Sequence, residues 1–136
     1  MILLVEDEAI TRNAFADALR NESHEVIQAA DGDQALFLLC KYHVDLIITD
    51  VVMPRLNGFD LIGKIRAVCP DVPILIISAY ASQYSEKIPD KKAKFLKKPI
   101  DPPELIAAVQ RLLPTPRSKI RSKTPRSARS PTKKRL

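Results

Sequence analysis

A doubly wound α/β fold, with a parallel sheet covered by helices on both faces, is the architecture that this 136-residue sequence predicts. Three observations carry that expectation. Five short apolar runs alternate with helix-patterned segments at a spacing of about 20–25 residues, the pattern of repeated βα units. Several runs are apolar throughout instead of alternating with polar residues, as strands buried on both faces are. The chain has only 3 glycines and contains neither GxGxxG nor GxxxxGK[ST], so dinucleotide-binding and P-loop versions of the fold are not expected.

The elements follow in order. Ile2 to Val5 reads as a buried strand that stops abruptly at Glu6, Asp7 and Glu8. Ile10, Ala14, Phe15, Ala18 and Leu19 recur at helical spacing after it. Glu25 to Ala30 reads as the second strand, and Asp31-Gly32-Asp33 as a turn and helix start. Ala35, Leu36, Leu38, Leu39 and Tyr42 pattern the second helix; His24 and His43 fall in turns and read as solvated or structural. Val44 to Thr49 forms the third strand and delivers Asp50. Pro54, Asn57 and Gly58 then break the chain before a helix that carries Phe59, Leu61, Ile62 and Ile65 and stops at Pro70. Val72 to Ile77 is the fourth strand, ending in Ser78 and Ala79. Residues 80–93 allow at most a short or irregular fourth helix, because Pro89, Asp90 and Lys91 interrupt it. Ala93 to Lys97 holds the fifth strand, followed by Lys98-Pro99. Asp101-Pro102-Pro103-Glu104 is a helix start with an N-cap acid, proline at the first position and glutamate at the third. Leu105, Ile106, Val109, Leu112 and Leu113 mark that helix's buried face.

Charge divides the chain in two. Residues 114–136 hold nine of the 22 basic residues and none of the 16 acids, which leaves residues 1–113 with a net charge of −3. A mildly acidic domain, 1–113, thus precedes a basic Pro/Ser/Thr-rich tail, 114–136, expected to be disordered because it cannot bury enough apolar surface. No apolar run reaches the roughly 18 residues of a membrane span, and the N-terminus lacks the pattern of a secretory signal. Cys40 and Cys69 stand apart from each other and from any histidine cluster, and read as small buried residues of a reducing, cytoplasmic compartment.

Parallel strands share one carboxyl edge, where open α/β sheets bind ligands. That edge collects Glu6, Asp7, Asp50, Ser78 and Lys98. Three carboxylates at close range repel one another, and an all-oxygen set relieved by a hard cation suits Mg²⁺. Lys98 adds a fixed positive charge and Ser78 a hydroxyl donor. The set fits phosphoryl transfer to a carboxylate, with Asp50 as nucleophile.

On the segments LLVEDE (3–8), DLIITDVVMPRLNGFDLI (45–62), ILIISAYAS (74–82) and FLKKPID (95–101), the chain resembles the receiver domain of two-component response regulators. The resemblance covers residues 2–113 and implies a flavodoxin-like sheet of order 2-1-3-4-5; the chemotaxis member of this family is a standard example of that order. It further implies that Asp50 is phosphorylated by a histidine kinase or phosphotransfer protein. Asp7, Asp50 and the Val52 backbone carbonyl would ligate Mg²⁺, with Glu6 acting directly or through water. Ser78 and Lys98 would contact the phosphoryl group, and Phe95 would be the switch aromatic coupled to Ser78. The domain would be a phosphoacceptor that assists its own phosphorylation and dephosphorylation, and not an enzyme. Two departures stand out: the acidic pair is Glu6-Asp7 where many members have two aspartates, and the Ser78–Lys98 interval lacks a clear fourth helix, which alters the family's usual output face.

A haloacid-dehalogenase-type phosphatase needs a second acid two residues after the nucleophile, and Val52 stands there. A nucleic-acid-binding protein regulated by a receiver would act through the basic tail, yet the tail has no helix-turn-helix pattern and no aromatic residue. A receiver excised from a longer hybrid kinase is a further reading. The tail itself is either a solvated spacer or a tether to a polyanion: nucleic acid, an anionic membrane or an acidic protein.

Overall fold

The computed structural model describes residues 1–50, 58–79 and 92–113. The Val52 carbonyl, the short fourth helix expected between Ser78 and Lys98, and the basic tail fall outside those residues. Five strands and four helices are described: β1 Ile2–Val5, α1 Ala9–Asn21, β2 Val26–Ala29, α2 Gly32–Lys41, β3 Leu46–Asp50, α3 Gly58–Val68, β4 Ile74–Ser78, β5 Ala93–Lys97 and a final helix, α4, Pro102–Leu112. All strand pairings are parallel and the order is β2-β1-β3-β4-β5. Both the doubly wound architecture and the order match the expectation.

Alternation along the central strands sends side chains to two cores. Leu3, Val5, Ile47, Ile74 and Ile76 face α2 and α3, where Ala35, Leu39, Leu61 and Ile65 meet them. Ile2, Leu4, Ile48, Leu75 and Ile77 face α1 and α4, against Phe15, Ala16, Leu19, Leu105 and Val109. Strands lined on both sides have no solvent face, which is why these runs lack polar alternation. Burying each such side chain is worth about 1.5–3 kcal/mol.

Some inward positions differ from the expected ones. Ile10 is 79% exposed and Ala14 is exposed, while Ala16, which the periodicity passed over, is fully buried. Ile10 lies on the first turn of α1, where the helix has only begun to cover the sheet. Tyr42 caps α2 and is exposed rather than packed. Cys40 is exposed and Cys69 half-buried, against the expectation that both are buried. Leu39 takes the inward position on α2, which turns the next residue, Cys40, outward. His43 is exposed beside Asp45, with Nε2 3.4 Å from its carboxylate.

Candidate functional site

Pairing register brings the expected residues to one edge. Val5 pairs with Thr49, so Glu6 emerges beside Asp50, the last residue of β3. Asp50 pairs with Ile77, and Ser78, one position on, pairs with Lys97. The Lys98 amide donates to the Ser78 carbonyl at 3.0 Å, extending the ladder by one bond. A cis peptide bond then joins Lys98 to Pro99.

Lys98 is the centre of the edge. Its Nζ lies 2.6 Å from Asp50 Oδ2 and 3.4 Å from Glu6 Oε1. Glu6, Asp50 and Ser78 are buried, and Asp7 is exposed beside them. Burial pushes the Glu6 carboxyl above its ordinary pKa; the Glu8 amide and Lys98 oppose this, and Asp7 and Asp50 reinforce it. Burial also disfavours the Lys98 charge, but the hydrogen bond and charge of Asp50, helped by Glu6, outweigh it and raise the Lys98 pKa. The edge thus sets the carboxylates of Glu6, Asp7 and Asp50 around the one Lys98 ammonium.

The turn that carries the acids is built by residues that periodicity does not single out. Glu8 caps α1: its carboxylate accepts from the Thr11 amide at 3.0 Å and from the Thr11 hydroxyl, which holds its pKa below the ordinary range. The Glu8 amide donates to Glu6 Oε2 at 3.1 Å. Arg12 donates through Nη1 to the Glu6 carbonyl at 2.8 Å and through Nε to Gln28 Oε1 at 3.2 Å, tying the turn to β2. The available signal was a lone cation one helical turn after three acids. Phe95, the expected switch aromatic, is half-buried in the core on the α2/α3 side.

The acids fit a hard cation by donor type, since all their ligating atoms are oxygens, and burial, with Asp7 and Asp50 nearby, raises the pKa of Glu6. Among the described residues, however, no three His, Cys, Asp or Glu side chains are gathered closely enough to hold an ion. Lys98 stands between Glu6 and Asp50, and the exposed Asp7 side chain lies beside Glu6.

The model of the response regulator receiver domain matches residues 2–110. The chain belongs to that family. This receiver is 34% identical over 116 residues to the sensor kinase CckA of Brucella abortus, a match that covers 82% of this chain and 12% of the kinase. It spans 24–47% of the length of three transcriptional regulators that it also resembles. Among solved structures, the chemotaxis protein CheY4 of Vibrio cholerae superposes with a TM-score of 0.75 at 31% identity, over 82% of this chain and 97% of that one. The response regulator TrrA of Thermotoga maritima, solved in complex with Mg²⁺ and BeF, gives 0.73 at 32% identity, over 82% and 97%. The general function of such a domain is phosphorelay signalling, and receivers of this kind occur in response regulators and hybrid kinases. Receiver domains interact with histidine kinases. Among the described residues no helix is long and apolar enough to cross a membrane.

Proposed function

We propose that this receiver accepts a phosphoryl group on Asp50 from a histidine kinase or a phosphotransfer protein. The observation that carries the reading is the Lys98 bridge: in a chain of this family, one lysine touches the carboxylates of Asp50 and Glu6 at the carboxyl edge of the sheet. An Asp50 oxygen attacks phosphorus, and the phosphorus–nitrogen bond of the donor phosphohistidine breaks with its electron pair going to the imidazole. The product is an acyl phosphate. Lys98, already beside the reacting oxygen, balances the added charge, and the Ser78 hydroxyl donates to a phosphoryl oxygen. Asp7, Asp50 and the Val52 carbonyl would hold Mg²⁺, with Glu6 direct or through water; when bound, it supplies the positive charge that Lys98 alone does not. The domain acts as a phosphoacceptor that assists both its own labelling and its own hydrolysis, and does not turn over a separate substrate. Ser78 moving towards the phosphate, with Phe95 following into the space, is the switch. Two free cysteines suit a reducing cytoplasm.

A second partner is favoured by charge: the tail segregates nine cations from the acidic domain, which supports a polyanion contact through residues 114–136.

The test is to incubate the full chain with acetyl phosphate and Mg²⁺ and locate the added mass by peptide analysis. Label is expected on the peptide containing Asp50 and absent in Asp50→Asn, whose circular dichroism stays that of the wild type. Label that persists in that variant removes Asp50 from the role.

A further inference from the structure

Next to the acidic edge lies a groove of about 380 Å³ lined by Thr11 and Phe15 of α1, Ala79, and Lys98, Pro99 and Ile100 ahead of α4. Among the described lining residues, apart from Lys98 and the Thr11 hydroxyl, the side chains are methyl, aliphatic, ring and pyrrolidine carbon. The rim is acidic. Asp7 and Glu8 lead into α1 and Asp101 and Glu104 open α4, all four exposed. Glu8 bonds to the Thr11 amide, which sets its carboxylate against one wall, and the Asp101 carboxylate caps α4 one residue after the lining Ile100. With Glu6 and Asp50 they outnumber the nearby cations Arg12, Lys97 and Lys98.

The same chain carries a segment of complementary chemistry. Prolines apart, the aliphatic side chains larger than alanine in residues 114–136 are Ile120 and Leu136. Lys119 and Arg121 flank Ile120, and Arg117 and Lys123 stand three positions to either side. Length permits the contact. The 11 residues of α4 place the groove about 16 Å from the helix's far end, at 1.5 Å per residue. The seven residues from Leu113 to Ile120 span up to about 23–25 Å when extended. Later apolar residues reach as well, but Ala128 offers a single methyl group, and Leu136, 23 residues after Leu113, is held at a lower effective concentration than Ile120.

We propose that the tail folds back along α4 and seats Ile120 in this groove, with Lys119 and Arg121 against the rim carboxylates. Tethering makes the contact intramolecular, at an effective concentration on the order of millimolar, so weak docking is enough to populate it. The strap narrows the approach of a protein phosphodonor to Asp50 and leaves a small donor free to enter. That regulatory consequence rests on the phosphoacceptor reading, whereas the contact itself does not.

The experiment is methyl NMR of the full chain with labelled Ile, Ala and Thr, compared with Ile120→Ser and Ile120→Leu. Both changes leave residues 1–113 unaltered in sequence. Ile120→Ser is expected to shift the methyl signals of Thr11, Ala79 and Ile100, and Ile120→Leu to leave them near the wild-type positions. Raising salt to about 0.5 M, where the Debye length is only a few ångströms, should move the wild-type signals at least half-way to those of Ile120→Ser. Groove signals that ignore Ile120→Ser overturn the proposal, as does a response centred on another surface, such as the exposed Phe37 of α2. Labelling of Asp50 by acetyl phosphate is scored separately. If Asp50 stays unlabelled while the groove still answers to Ile120, the acceptor reading falls and the docking stands.

Discussion

Lys98 holds two like charges together, and its removal should reveal how strongly they repel. With its side chain 30% exposed, it is screened less than a surface lysine and more than a buried one. Lys98→Ala should destabilise the metal-free domain by about 1–2 kcal/mol, below the 3–5 kcal/mol typical of breaking a fully buried pair. Mg²⁺ affinity should stay equal or improve, because a competing cation is gone, and added Mg²⁺ should restore much of the lost stability. Thermal unfolding with and without Mg²⁺ reads both effects; a variant as stable as the wild type without metal would mean that Lys98 does not relieve the acids. Asp7→Asn should do the reverse, weakening Mg²⁺ binding with little change in metal-free stability. Glu6 supplies a pH test. Its pKa is raised in the folded state, so its contribution is most favourable below the ordinary carboxyl value and is lost as pH rises through the raised value. Glu6→Gln fixes the neutral form and should raise metal-free stability at about pH 7 by ~1 kcal/mol, an advantage that fades towards about pH 4. The Lys98 pKa is also raised, so its stabilisation is complete below the ordinary lysine range and lost above it. An advantage of Glu6→Gln that grows on acidification would contradict the assignment of the raised group.

Element boundaries follow local chemistry, and one of them carries removable strain. The end of α1 is a Schellman turn: His24 N–H reaches the Leu19 carbonyl, Ser23 N–H reaches that of Arg20, and Ser23 adopts φ 70°. Left-handed backbone suits glycine and costs an ordinary side chain about 1 kcal/mol. Ser23→Gly should therefore raise the unfolding free energy by up to ~1 kcal/mol with the fold and the site unchanged. Denaturant titration checks this, and a lower midpoint would mean that the serine side chain makes a compensating bond. At the start of α4, Asp101 and Glu104 form the reciprocal capping box that their spacing announces, at 3.0 and 3.2 Å. Such starts were legible because they depend on residues within one turn of each other. The inward faces were less so. Ile10 and Ala16 exchanged places relative to the periodicity, since burial depends on where α1 crosses the sheet, and nothing within α1 records that. Arg12 was missed for a similar reason: its partners, the Glu6 carbonyl and Gln28, meet it only after β1 and β2 have paired. The edge acids, Ser78 and Lys98 were legible because a parallel sheet converts "residue after the strand" into a place in space.

At the scale of the whole chain, the unusual feature is the separation of charge between an acidic domain and a basic tail, and the two have a measurable bearing on each other. If nine tail cations meet a duplex, counterion release sets the slope of log affinity against log salt at about −0.9 per phosphate neutralised, a ceiling near −8. The tail has no aromatic residue to stack on bases and no helix pattern to enter a groove, so binding should be indifferent to sequence. Docking of Ile120 beside the acidic edge draws on some of the same cations. Duplex DNA or anionic vesicles should then compete with the groove, and Ile120→Ser should bind them more tightly than the wild type at the same salt. Truncation after Leu113, the C-cap of α4, keeps every described element and removes the cations. The full chain, Ile120→Ser and the truncated chain are compared by titration with duplex DNA and with anionic vesicles across a salt series. The expected order of affinity is Ile120→Ser, then the full chain, with the truncated chain showing no measurable binding. Equal binding by the full and truncated chains, or none by the full chain at low salt, would remove the polyanion from the tail's role and leave its charge to the domain beside it.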